Sequence, residues 1–295
     1  MLDCLIIGGG PAGLTAAIYL ARFRRQVMVI DDGQSRTSLI PVSHNFPGFP
    51  QGVTGDGLLR RLREQLAPYE VHCREGRVEA LERAGDRFIA RTTEGTIDAR
   101  TVLLATGITD AGLDMARLEP AIRAGTVRLC PVCDGFEAID KQVAVVARSD
   151  HAVGHALFLR TYTGHLTLVH VGKPDGLDDA ARGQLADAGI QLIEGVTIDL
   201  EVDGTGPCVA VDGVRHGFDT VYPMFGCRPR AGLAETLGAK RDDKGELIVG
   251  AYQETTVPGL FAAGDVVSGL NQISVACGHA AIAACHIHHE LPRAW

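Results

Sequence analysis

The stretch Leu2-Asp3-Cys4-Leu5-Ile6-Ile7-Gly8-Gly9-Gly10-Pro11-Ala12-Gly13 decides the fold, because an apolar run ends on a glycine turn and Leu14 to Arg25 follows with helical periodicity. A second apolar strand, Gln26 to Ile30, ends on Asp31 and Asp32, close to the roughly 20-residue distance at which an acid meets the adenosine ribose of a dinucleotide. Each glycine has its own task. Gly8 permits the tight turn, Gly10 lets a pyrophosphate approach backbone N–H groups, and Gly13 lets the helix lie close to the strand. The helix amino terminus then faces the phosphates, and Pro11 and Ala12, in the turn before it, are candidate cofactor-binding residues.

Sliding the chain against itself aligns Ile6–Asp31 with Val145–His170 without gaps, so a second βαβ unit is expected. There Gly8 falls on Ala147, Gly10 on Ser149, Gly13 on Ala152 and Asp31 on His170. Ala152 is an acceptable substitute, whereas a Cβ at 147 and 149 crowds the places where backbone must approach phosphate. The fold is kept while the binding loop is altered.

Just before this second unit stands Cys130-Pro131-Val132-Cys133-Asp134-Gly135. Two cysteines separated by two residues can close a small disulfide ring, and an adjoining acid can exchange the proton that thiol chemistry requires. The other six of the eight cysteines, Cys4, Cys73, Cys208, Cys227, Cys277 and Cys285, are scattered and read as small buried apolar residues. Neither a second CxxC nor a His pair at ligand spacing follows soon enough for a structural zinc site. The terminal Cys277, His279, Cys285, His286, His288 and His289 read as a solvated helix end or a subunit contact rather than a metal site.

A chain of 295 residues, 46 % hydrophobic and 22 % charged, suffices for two cored domains. Its net charge of -8 excludes a global attraction to nucleic acid or anionic lipid, and no apolar run reaches the roughly 18 residues of a spanning helix. With no export leader at Met1, a cytoplasmic protein is expected. Gly76 to Gly95 suggests a small hairpin-like insertion, and Thr101 to Leu104 a buried strand ending at the small-residue turn Ala105-Thr106-Gly107. Short strands should occupy Val202 to Asp219, with a crossover at Pro223 to Pro229. The strand of Thr256 to Ala263 delivers Gly264 and Asp265, and an apolar helix follows from about Gln272 to His288.

Together GGGPAG, the ATG turn, CPVCDG and GLFAAGD resemble the low-molecular-weight thioredoxin reductases over essentially the whole chain. The resemblance implies an α/β protein of two Rossmann-like three-layer ββα nucleotide-binding domains. The FAD domain would be discontinuous, 1–110 and 227–295, with a central CxxC-bearing domain at 111–226. It implies that Cys133 lies against the flavin, that Cys130 attacks the protein or small-molecule disulfide, and that Asp134 is the proton donor. Asp265 matches the acid holding the ribityl chain. Gln272 falls near the flavin-contacting Arg-Gln pair, with Asn271 in place of the arginine and Ile273 beside it as a further candidate, and His44 to Gly48, including Asn45, match the flavin-side loop. A homodimer is also implied.

The departure lies at the pyridine nucleotide site. NADPH-dependent members carry GxGxxA and, after the last strand, His-Arg-Arg; here the run reads His170-Val171-Gly172-Lys173, without either guanidinium. Efficient NADPH use is therefore not expected, although Arg148, His151 or Lys173 remain available to a phosphate. His151 and His155, one helical turn apart, read as filler of the altered site. Related branches take electrons from ferredoxin, or pass them from substrate dithiols through CxxC and FAD to oxygen. A thioredoxin-like protein or a small dithiol or disulfide is the expected substrate. An ordinary NADPH-dependent reductase and a non-catalytic flavin redox sensor are the alternatives.

Overall fold

The computed structural model describes residues 1–112, 114–148, 151–172, 176–203 and 206–292. The first half runs β1 (Leu2–Ile7), α1 (Pro11–Arg22), β2 (Val27–Asp31), α2 (Gly55–Leu66), β3 (His72–Glu75), β4 (Val78–Ala84), β5 (Arg87–Thr92) and β6 (Gly95–Leu104). The helix expected from Leu14 to Arg25 begins and ends three residues earlier. Pro11 takes the first helical position, where its missing N–H costs nothing, and Arg24 at φ 60° turns the chain out of the helix. The expected insertion is instead part of the main sheet. The β4–β5 hairpin continues antiparallel into the first half of β6, while the second half of that ten-residue strand pairs in parallel with β1.

The central stretch comprises β7 (Ile108–Asp110), α3 (Met115–Arg123), α4 (Pro131–Asp134), β8 (Val143–Ala147), α5 (His151–Leu159), β9 (Leu166–Val171), α6 (Asp179–Asp187), β10 (Gln191–Gly195), β11 (Ile198–Asp203), β12 (Gly206–Val211), β13 (Val214–Gly217) and β14 (Thr220–Met224). The chain returns through β15 (Cys227–Pro229), α7 (Gly232–Glu235), β16 (Leu260–Ala262) and α8 (Ile273–Glu290).

The described strands form two large sheets. One is seven-stranded in the order β3-β2-β1-β6-β5-β4, with β16 parallel to the end of β6; the other is parallel in the order β10-β9-β8-β14. The repeat read from the sequence is realised, since β1, α1 and β2 correspond element by element to β8, α5 and β9. A small antiparallel sheet, β11-β12-β13, packs its apolar face on the parallel one through Val209 and Val211. Where the chain crosses between the two sheets, outgoing β7 and returning β15 pair with each other.

In the first body, the small faces of α1 and α8 meet through Ala16, Ala17, Ala280, Ala283 and Ala284 over Ile6 and Leu103. Short side chains let both helices lie close to the sheet. Leu5, Val102, Leu104 and Phe88 fill the opposite face beneath the hairpin. Among the described residues no helix is long and apolar enough to cross a membrane.

Candidate functional site

A cavity of about 710 Å³ opens at the carboxyl ends of β1, β2 and β6, within the roughly 300–1,000 Å³ span of ligand pockets. Its floor is the glycine turn. Gly8 holds φ 110°, and a methyl there would overlap the Ala105 carbonyl oxygen and come within 2.8 Å of its carbon. A Cβ added at Gly9 would likewise press on the Asp31 side chain, 2.8 Å from its Cβ. Gly10 differs: at φ -76° it is ordinary backbone, it precedes α1, and an added Cβ would meet only the Ser35 Oγ at 3.3 Å. Its bareness therefore serves the cavity rather than the packing. Gly13 lies outside the wall, where a side chain would strike the Gly8 carbonyl, so its task is helix–strand contact.

Pro11 and Ala12 line the cavity at the start of the twelve-residue α1, whose free first-turn N–H groups suit a phosphate. Asp31 and Asp32 line the adjoining end, with Arg63 3.6 Å from Asp31 and Arg230 4.0 Å from Asp32. Ala105, Thr106 and Gly107 form a third wall, tied down by the Thr106 hydroxyl donating to the Arg230 carbonyl at 2.7 Å. Gly264 and Asp265 close a fourth, and burial pushes the Asp265 carboxyl up to about 6, against the pull of the nearby Arg36 charge. Arg36 itself grips Asp110 through two hydrogen bonds of 2.8 and 2.9 Å. Burial works to lower its pKa, but Asp110 leaves it raised. Sequence reading missed Arg36, which opens a short 3₁₀ turn without motif spacing.

Cys130 and Cys133 form a disulfide with Cα atoms 5.3 Å apart, and the Cys133 N–H donates to the Cys130 Sγ at 3.2 Å. The Gln272 amide Nε2 lies 3.5 Å from the Cys130 Sγ and 3.3 Å from the Cys133 Sγ. Gln272 and Ile273 also line the cavity, so one side chain separates the disulfide from it. Asn45 stands outside the wall but holds the Gln272 Oε1 through its Nδ2 at 3.0 Å. His44 approaches Glu137 at 3.9 Å, joining the same loop to the segment after the cysteines.

Asp134 turns to other partners. Its carboxylate meets Arg128 at 3.0 Å and accepts from the Tyr222 hydroxyl at 3.0 Å. Burial raises its pKa more than Arg128 and Tyr222 lower it. The Tyr222 phenol, raised by burial and by the Asp134 charge, stays a donor. Arg128 and Tyr222 carry no spacing signal, because they come from a loop and from β14.

At the second unit, Ala147 is the fully buried last residue of β8, and His170, the counterpart of Asp31, is only 3 % exposed. His170 places an imidazole where the first unit presents a carboxylate, its Nε2 without a hydrogen-bond partner among the described residues. The Arg148 guanidinium lies over the Phe225 ring, 5.3 Å from its centroid. Ser149, Lys173 and the His151 side chain lie outside the described residues.

Of the lone cysteines, Cys4 and Cys208 are buried as expected, whereas Cys73, Cys227 and Cys285 are exposed, standing on a peripheral strand, at the crossing and on an outward helix face. The terminal group disperses: the Cys277 Sγ accepts from Thr15, His286 stacks on Tyr252, and the His288 Nδ1 accepts from Arg25. No group of three or more possible metal ligands occurs among the described residues.

Residues 2–280 match the model of the pyridine nucleotide-disulphide oxidoreductases. Thioredoxin reductase of Mycolicibacterium smegmatis is 33 % identical over 279 residues, 90 % of this chain and 88 % of that protein. The crystal structure of HlmI, 30 % identical, superposes with a TM-score of 0.88 over 98 % of this chain and 92 % of that one. Thioredoxin reductase from Streptococcus pyogenes MGAS5005, 29 % identical, gives 0.88 over 98 % and 97 %. The cavity fits the flavin cofactor that this family implies, with glycine turn and helix terminus available to a pyrophosphate and acids at either end for ribose and ribityl hydroxyls. The chain belongs to the pyridine nucleotide-disulphide oxidoreductase family and is a thioredoxin reductase-like FAD disulfide oxidoreductase.

Proposed function

We propose that the Cys130–Cys133 pair exchanges electrons between FAD and a dithiol or disulfide substrate, with NADPH a poor partner. The observation that carries this reading is the disulfide seated on Gln272, a residue of the cavity wall. A substrate thiolate attacks the Cys130 Sγ, the S–S bond breaks, and its electron pair leaves on the Cys133 Sγ. The second substrate thiolate then displaces Cys130, releasing substrate disulfide and leaving the reduced pair. The two protons lost by the substrate equal those that restore two thiols, and Asp134, with its raised pKa, is the nearest acid in sequence. Bound FAD supplies the two-electron acceptor for the pair, or the donor when the steps run backward. Gly8, Gly10, Pro11, Ala12, Asp31, Asp32, Ala105 to Gly107, Gly264, Asp265 and Ile273 hold it in this reading.

Ala147 and buried His170 support a weakened nicotinamide nucleotide site. The boundaries at 110/111 and 226/227 fall at the paired β7 and β15, which makes this ladder the proposed hinge between an FAD domain and a CxxC domain. The names of the similar proteins support a thioredoxin-type partner. Small dithiols, ferredoxin and oxygen remain candidate exchange partners. Anaerobic mixing of holoprotein with NADPH, NADH, reduced ferredoxin or dithiothreitol, followed by flavin absorbance, tests the proposal. Dithiol should bleach the flavin faster than NADPH, and rapid bleaching by micromolar NADPH would overturn the cofactor assignment in favour of an ordinary NADPH-dependent reductase.

A further inference from the structure

Gln272 precedes α8 with extended backbone, and its side chain makes no capping bond there. Its orientation is set from elsewhere. The Ser43 hydroxyl lies 3.1 Å from the Asn45 Oδ1, and the Asn45 Nδ2 donates to the Gln272 Oε1 at 3.0 Å. An amide whose oxygen is engaged by a donor must turn its NH₂ the other way. That NH₂ faces the Leu270 carbonyl at 3.4 Å and both sulfurs, the Cys133 Sγ the nearer. One N–H serves the carbonyl, and the other is shared by the disulfide.

We propose that Gln272 is a catalytic hydrogen-bond donor to the thiolate that leaves on Cys133, and that Asn45 is the positioning residue that keeps its amide pointing at the sulfur. This rests on the thiol–disulfide reading given above. A disulfide sulfur is a weak acceptor and a thiolate a strong one, so the contact gains strength as the S–S bond breaks. An interaction stronger after bond cleavage than before accelerates the step. It also stabilises the reduced pair, which makes the disulfide a better oxidant. The same donor returns the electron pair to the disulfide less readily, so Gln272 biases the pair toward accepting electrons from a dithiol.

The test is the equilibrium between the Cys130–Cys133 pair and glutathione redox buffers, read by alkylation and peptide mass in the full-length holoprotein, with flavin content measured beside it. Gln272→Met keeps length and removes the donor. It should lower the equilibrium constant for reduction about tenfold, equivalent to about 30 mV. Asn45→Asp leaves Gln272 in place but offers only acceptors, so the amide turns over and directs Oε1 at the sulfurs. It should match the loss in Gln272→Met, and Asn45→Ser, which retains a donor, should recover part of it. Wild-type equilibrium constants in both Gln272→Met and Asn45→Asp would overturn the proposal. Failure of the exchange reading is separate: it would show as wild-type protein whose pair equilibrates with glutathione yet passes no electrons to the flavin.

Discussion

Gly8 and Gly10 stand two residues apart in the same turn, yet the structure separates their consequences completely. Gly8→Ala places a methyl on backbone at φ 110° and against the Ala105 carbonyl, 2.8 Å from its carbon. The left-handed region costs about 1–2 kcal/mol for a residue with a Cβ, and the overlap with a rigid neighbour roughly 1–3 kcal/mol. A loss of about 3 kcal/mol lowers the melting temperature by roughly 6–12 °C at the usual scaling for domains of this size. Gly10→Ala meets ordinary φ and a single hydroxyl that can rotate away, so its stability should change by about 0.5 kcal/mol or less. Gly10 lines the cavity directly before α1, so a methyl there takes space that a phosphate at the helix terminus needs. The expected loss of FAD affinity is tenfold or more, equivalent to about 1.4 kcal/mol. Thermal melts of both apoproteins by circular dichroism, with FAD titrations followed by flavin fluorescence, measure the two effects separately. A Gly10→Ala protein that binds FAD like wild type, or a Gly8→Ala apoprotein that melts with wild type, would refute the reasoning.

Cys130→Ser should retain FAD but lose exchange with dithiols, and continued exchange at the wild-type rate would reassign the attacking thiol. Asp265 in the apoprotein titrates at about 6, above its ordinary value, and a ribityl hydroxyl donates more strongly to its anion than to its neutral acid. FAD affinity should therefore be full above pH 6 and weaken below it by up to about tenfold per pH unit, until the lower pKa of the bound state is passed; Asp265→Asn should flatten that dependence in pH-dependent titrations. With Asp134 as the acid, the rate of thiolate reprotonation should fall as pH rises through its pKa, which burial sets above the usual aspartate range. Arg128→Leu removes the charge that opposes this rise and should move that limb upward; a limb that moves downward in the pH–rate profile would count against the assignment.

Much of this was legible in the chain itself. Local signals specify local geometry: the apolar run Leu2–Ile7, the glycine turn and the terminal Asp31 define the first βαβ unit, and the gapless repeat predicts the second. The CxxC spacing likewise brings Cys130 and Cys133 together, because three residues of chain suffice to close the ring. What the sequence left unread comes from long-range packing. The ten-residue β6 was seen only in part, because its first half alternates on an antiparallel hairpin while its second half is buried between parallel strands. The direction of Asp134 depends on Arg128 and on Tyr222, 88 residues away, and its protonation on its own burial set against those two partners. Gln272 reaches the disulfide across 139 residues of chain, turned by Asn45 from a third segment. Sequence alone determined the nucleotide-binding fold and the redox pair, because those rest on residues close in the chain; tertiary structure decided what faces the sulfurs, because hydrogen bonds act over about 3 Å of space whatever the separation in sequence.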